Sequence, residues 1–293
     1  MDSVFKAMRT YRTLPSLMVM LVSAAFADMI NKEIIILGLC CVLVYSAAGI
    51  HNAIKDNDYP LPQYAKKVIF ALLFAAIIIS LSNKIIFFAV MAGLILGLIY
   101  NTISRFILLG DSTILAITHF ALPSLSASLI LGLDLRKTIL LSGFFFLIAW
   151  FITQTKNLKD TRKDRNRNYA TLTTRFHNGA LITNVLLFIS FIFMLVSHFL
   201  FKLTARFVLT LIIISLLIII ALKKINSDYE AQGLNILRLV ILTFMLGLII
   251  EKTPNYFIVL SGIFLWFLYL LYLLMPQINK VMGKHRWLSV QKE

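Results

Sequence analysis

The sequence predicts an all-α, polytopic membrane protein, and three observations carry that reading. The chain has 293 residues, 60% of them apolar and only 14% charged, with a mean hydropathy of +0.89. Soluble domains run about 45–50% apolar and about 25% charged. Long apolar runs recur from one end to the other, too rich in Leu, Ile and Phe for disorder and without the alternation of a membrane barrel. A soluble globule of this composition would be apolar over its whole surface, so that class is excluded.

A helix needs about 20 apolar residues to cross the hydrocarbon core. Ten segments qualify, at roughly 14–30, 34–52, 67–82, 85–103, 112–133, 138–156, 180–200, 205–222, 235–251 and 256–275. The first follows Lys6, Arg9 and Arg12 and ends in Ala25-Phe26-Ala27. That pattern is shared by signal-peptide cleavage sites and by packed transmembrane helices. The third and fourth are divided by Ser82-Asn83-Lys84, the ninth and tenth by Glu251-Lys252-Thr253-Pro254. Such breaks are turns, because charged or Pro-containing backbone is not satisfied in lipid. Pro123 is expected to kink the fifth segment. One merged pair would lower the count, so the expectation is nine to ten transmembrane helices in a single domain over 1–293.

Charge sets the orientation. With ten spans and a cytoplasmic N-terminus, 21 of the 28 Lys and Arg fall in cytoplasmic segments, as the positive-inside rule requires. The net charge of +15 is then topology signal and attraction to membrane lipid headgroups. Nucleic acid binding is not expected, since no soluble domain exists to carry it, and no protein partner is inferable. Cys40 and Cys41 are adjacent inside an apolar run, which suits neither a disulfide framework nor a metal site. With no targeting segment beyond the first run, a prokaryotic plasma membrane is the expected location.

In a basic, apolar chain the few acids are informative. Asp56 and Asp58 follow the second span, Asp160 and Asp164 the sixth, which places both pairs on the cytoplasmic side. Asn52 and Asp56 are four apart on a helix and share a face. Asn157, Asp160 and Asp164 form a second stripe. Oxygen ligands on facing helices suit Mg²⁺, which takes one or two carboxylates and fills its octahedron with water and phosphate oxygens. Lys156, Lys159, Arg162, Lys163 and Arg165 flank the second stripe and suit a phosphate. His51 borders the first and is placed to touch substrate. His119 lies mid-span, as a structural histidine or an acceptor-side base. Asp111 with Ser112 suits a helix N-cap.

At these residues the chain resembles the UbiA superfamily of intramembrane prenyltransferases. Asn52-Ala53-x-x-Asp56 is similar to that family's first Asp motif and Lys156-Asn157-x-x-Asp160-x-x-x-Asp164 to its second. Tyr100-Asn101-Thr102-Ile103-Ser104-Arg105 resembles the stretch after the fourth helix, and Ala170-Thr171-Leu172 the Thr-Leu pair after the second motif. The opening Arg12-Thr13-Leu14-Pro15 is also like the family's N-terminus. The departures are Ala53 for an Asp, Pro60 where the first motif ends, Asn157 for an acid, Ser104 for a Lys, and four spans after the second motif where three are usual.

The resemblance implies a helical bundle around a central cavity. It implies Mg²⁺-dependent transfer of a prenyl chain from an allylic prenyl diphosphate to an aromatic or lipid-like acceptor. Asn52, Asp56, Asp160 and Asp164 would hold the metal, the three Asp residues serving catalysis. Arg105, Lys156 and Arg165 would bind the diphosphate, with Asp58, Asn157, Tyr100 and His51 as further candidates. Two alternatives stand beside this. A degenerate member would bind prenyl lipids without turnover. A ten-helix small-molecule transporter would carry its acids near the bilayer midplane rather than at span ends.

Overall fold

The computed structural model describes residues 2–56, 60–225 and 230–290. Asp58 lies outside the described residues, as do the side chains of Asp56, Arg105 and Asp160. Among the described residues every regular element is helical. Each of the ten apolar segments forms helix.

The N-terminal helix α1 (Asp2–Met8) leads through a 3₁₀ turn at Thr10–Thr13 into α2 (Leu14–Ala27). This second helix stops where Asp28 takes a left-handed backbone, φ 53°. At about 1.5 Å per residue it is shorter than the roughly 30 Å hydrocarbon core. It is enclosed by protein instead: Met18, Val19, Val22 and Ala24 are fully buried. That packing, with Ala25 buried and Phe26 packed against the core, is the environment of a packed transmembrane helix.

The chain continues through α3 (Lys32–Asp56), α4 (Ala65–Ser80) and α5 (Lys84–Thr102). Asn83 caps α5, its Oδ1 accepting from the N–H groups of Ile85 and Ile86 at 2.8 and 3.4 Å, so the polar break at 82–84 is a helix start. The fifth predicted span is three pieces: α6 (Gly110–Ala116), a π-helical turn at Ile117–Ala121, and α7 (Leu122–Ile130). Pro123 has no N–H to give the His119 carbonyl. The helix widens just before it, and the Leu122 N–H bonds the Ile117 carbonyl five residues back. The N-cap of α6 is Leu109, φ 64°, not Asp111. Asp111 lies in the first turn and accepts from the Ser112 N–H at 2.7 Å.

After α8 (Leu135–Thr153) comes the polar α9 (Lys156–Asn166), then the single turn α10 (Leu172–Arg175). Four helices complete the chain: α11 (Gly179–Leu200), α12 (Phe207–Ile225), α13 (Glu230–Lys252) and α14 (Tyr256–Val290). Among the described residues seven stretches are long and apolar enough to cross a membrane, drawn from α3, the α6–α7 segment, α8, α11, α12, α13 and α14.

The core centres on α2 and α13, and its buried residues include Met18 of α2, Phe145 and Ile148 of α8, and Phe244 and Met245 of α13. Phe188, Phe199, Leu209 and Phe264, on α11, α12 and α14, are exposed, as lipid-facing helices require. Interhelical hydroxyls bind the interior, as is usual where lipid gives no hydrophobic drive between helices. Ser128 donates to Ser23 at 3.1 Å, joining α7 to α2. The Trp266 indole donates to Thr243 at 3.0 Å, joining α14 to α13. At one end of the bundle Thr253 donates to Asp28, Glu251 accepts from the Thr204 N–H, and Lys252 donates to the Phe201 carbonyl at 2.6 Å.

Candidate active site

A cavity of about 270 Å³ runs between α2, α3, α5, the α6–α7 segment, α8, α13 and α14. Most of its wall is apolar, with Leu37, Val44, Val90, Ile114 and Ile241 among the lining residues. The polar groups are few and come from separate helices.

Asn52 reaches the cavity from the last two turns of α3. Its Oδ1 is buried and has no hydrogen-bond partner among the described residues. Such an oxygen is costly to leave unmet, and it is the donor type a hard cation or a substrate hydrogen would use. Lys156 reaches the same cavity from the start of α9. Its ammonium donates to the Tyr100 hydroxyl at 3.1 Å and lies 5.8 Å from the centre of that ring. Tyr100 belongs to the last turn of α5 and also lines the cavity. Three of the stretches singled out in the sequence therefore meet at one cavity: the first acidic stretch, the segment before Arg105, and the second acidic stretch.

Asp56 and Asp160 each lie four residues past a cavity-lining residue, on α3 and α9. Asp164 is buried on the same helix as Asp160. Asn157 is buried, with Nδ2 lacking a partner among the described residues, but it does not line the cavity. Its backbone carbonyl accepts from Thr173 Oγ1 at 3.2 Å. Thr171 and Thr174 form a reciprocal capping box at α10, so the Thr-Leu stretch fastens the chain that returns past α9. Arg165 and His51 are exposed and do not line the cavity. No group of three or more His, Cys, Asp or Glu that could hold a metal occurs among the described residues, a set that lacks the carboxylates of Asp56 and Asp160.

Two departures from the resembled pattern acquire physical meaning. Ala53 is wholly buried with Val4, Ala7, Ile50 and Ala65, where a carboxylate would be unpaired and expensive. Ser104 is buried and donates to the Tyr100 carbonyl at 2.9 Å, closing the end of α5.

Sequence reasoning missed part of the wall. Arg12 and Arg238 line the cavity, although both were counted as orientation charges. For Arg238 a signal existed, since a cation inside an apolar span is a functional flag. Tyr45 was missed as well. Its hydroxyl donates to the Thr118 carbonyl at 2.7 Å, at the π-helical turn, and its ring meets the His119 ring edge-on at 4.5 Å. His119 Nδ1 lies 3.1 Å from Thr118 Oγ1. The wide turn thus presents His119 to the cavity while fixing it by two neighbours.

Comparison with known proteins matches this geometry to a family. Curated proteins give no significant match. Among solved structures, an apo UbiA homologue from Aeropyrum pernix K1 is 18% identical with a TM-score of 0.64, covering 83% of this chain and 98% of that one. A structure of digeranylgeranylglyceryl phosphate synthase is 16% identical with a TM-score of 0.58, covering 84% of this chain and 99% of that one. At such identities the likeness establishes the fold. The sequence profile of the UbiA prenyltransferase family matches residues 62–237, a stretch that includes the second acidic motif and begins after the first. The chain belongs to the UbiA prenyltransferase family.

Proposed function

We propose that the protein transfers a prenyl group from an allylic prenyl diphosphate to an aromatic or lipid-like acceptor within the membrane, with Mg²⁺ at the diphosphate. The observation that carries this reading is the meeting of Asn52, Tyr100 and Lys156, from three helices, at one apolar cavity. Membership of the family supports prenyl transfer over solute transport.

In the reaction the bond between the prenyl C1 and the diphosphate oxygen breaks, and the electron pair leaves with the diphosphate. An electron-rich atom of the acceptor bonds to C1 and gives up a proton. The orphaned Asn52 oxygen fits a hard cation, and Asn52, Asp56, Asp160 and Asp164 would hold it. When bound, Mg²⁺ supplies Lewis-acid neutralisation of the leaving group. Lys156, held against Tyr100, places a fixed positive charge where negative charge develops, which is effective in a water-poor site. The apolar wall excludes water, which would otherwise capture the allylic cation.

The test is transfer of a radiolabelled prenyl diphosphate to candidate acceptors in detergent. Asp56→Ala and Asp160→Ala are each expected to slow transfer by about 10²–10³-fold, the usual loss for one such electrostatic group. Transfer at the parent rate in both variants would refute the mechanism. A second reading rests on Asn157, an amide where the resembled pattern has an acid: diphosphate binds with metal and no product forms. Metal-dependent binding without turnover, across all acceptors tried, would select it.

A further inference from the structure

We propose that His119 is the catalytic base of the transfer, its Nε2 taking the proton that an acceptor hydroxyl gives up. The proposal rests on the prenyl-transfer reading and deepens it, since the acceptor is then a phenol or an alcohol.

The first support is elimination. The incoming prenyl group displaces a proton, which needs an acceptor inside an apolar cavity. No Asp or Glu lines that cavity among the described residues. Its cations are Arg12, Arg238 and Lys156, the same three that act electrostatically on the His119 ring. A charged guanidinium or ammonium has no lone pair to offer. The thiols of Cys40 and Cys41 and the tyrosine hydroxyls are neutral, weakly basic groups. Imidazole is the side chain whose neutral form accepts a proton near neutral pH, and His119 is the histidine of the lining.

The second support is the tautomer. Thr118 Oγ1 lies 2.8 Å from the Ile114 carbonyl oxygen and 3.4 Å from that of Leu115. Carbonyls only accept, so the single hydroxyl proton points back along the helix. A lone pair of Oγ1 then faces His119 Nδ1 at 3.1 Å. The ring also bonds the Leu115 backbone four residues back, where the carbonyl is the group turned toward it. Nδ1, the ring nitrogen nearer the backbone, is the one in reach of both. Both neighbours accept, so Nδ1 carries the hydrogen and Nε2 keeps the lone pair, on a side chain that lines the cavity. The ring is also held in place. Tyr45 of α3 meets it edge-on and donates to the Thr118 carbonyl, while Ser16 of α2 donates to the Tyr45 hydroxyl at 3.4 Å.

The step balances. The acceptor O–H bond breaks and its proton goes to Nε2. The freed electron pair bonds the prenyl C1 at oxygen or, in a phenol, at a conjugated ring carbon whose own proton then moves to the oxygen. The bond from C1 to the diphosphate oxygen breaks with its pair on the diphosphate. The imidazolium returns its proton to the departing diphosphate.

The first measurement is ¹⁵N NMR of the full chain in detergent, with imidazole-labelled histidine. His119 is one of five histidines and is assigned by its absence from His119→Gln. A chain with Gln at His51, His177, His198 and His285 assigns it independently. At neutral pH the expected signature is an uncharged ring with hydrogen on Nδ1. Hydrogen on Nε2, or on both nitrogens, overturns the proposal whatever the acceptor. The second measurement is transfer of a radiolabelled prenyl diphosphate to a panel of phenols and long-chain alcohols and to their methyl ethers. His119→Ala is expected to lower kcat by about 10²–10⁴-fold, the usual share of a general base, with KM for the prenyl diphosphate unchanged. Imidazole added to His119→Ala restores part of the transfer; pyrrole, a like ring without the basic lone pair, does not. Parent rates in His119→Ala, equal rescue by pyrrole, or methyl ethers used as well as hydroxyls by the parent overturn the proposal. A parent that transfers to no member of the panel, ethers included, refutes prenyl transfer itself and takes the base with it.

Discussion

Lys156 and Tyr100 show how single residues acquire roles in this protein. An ammonium at the start of the polar α9 has many rotamers, and the Tyr100 hydroxyl at 3.1 Å selects one that keeps it at the cavity. Lys156→Met removes the charge and is expected to cut kcat/KM for the prenyl diphosphate by about 10²–10³-fold. Tyr100→Phe removes only the orienting bond, worth about 1 kcal/mol, so a fall of about threefold to tenfold is expected. Steady-state kinetics with varied prenyl diphosphate separates the two, and a larger loss in Tyr100→Phe than in Lys156→Met would contradict these roles. Asn52, Lys156 and Tyr100 were legible in the sequence because polar groups at span ends stand out against apolar surroundings. Arg12 and Tyr45 were not. Their significance depends on which helices meet, and one sequence does not state that.

At the scale of elements, apolar runs located the helices well because lipid leaves a backbone no other way to satisfy its hydrogen bonds. The sequence was less clear where protein replaces lipid as the surrounding. The first predicted span, α2, is short and enclosed by α7, α13 and α14, and the fifth span is divided by a π-helical turn where Pro123 withholds an N–H. The joint between α1 and α3 is a further case. Gly49 lets the two backbones touch: a Cβ there would lie 2.5 Å from the Met8 carbonyl oxygen and 2.7 Å from that of Ala7. Gly49→Ala is therefore expected to destabilise the protein by about 1–3 kcal/mol through overpacking. Gly143 of α8 has open space where its Cβ would go, and Gly143→Ala should leave stability unchanged or raise it through better helix propensity. Thermal unfolding in detergent compares them, and equal midpoints for the two variants would count against the tight joint.

For the whole molecule, the account reduces to convergence. Residues from α3 and α9, separated by about a hundred positions in the chain, line one cavity, with α2 packed on α3 and α13 packed on both α2 and α9. That arrangement was readable only in outline: the sequence led us to expect the acids at the ends of the second and sixth spans on one side of the membrane, but facing spans had to be seen. The most direct measurement is equilibrium binding of a radiolabelled, non-hydrolysable prenyl thiolodiphosphate in Mg²⁺, to the parent, Asp56→Asn and Asp160→Asn proteins. Both variants are expected to bind about tenfold or more weakly, since each removes a charged partner of one ligand. If only one of the two substitutions weakens binding, or neither does, the two stretches do not converge on a shared diphosphate.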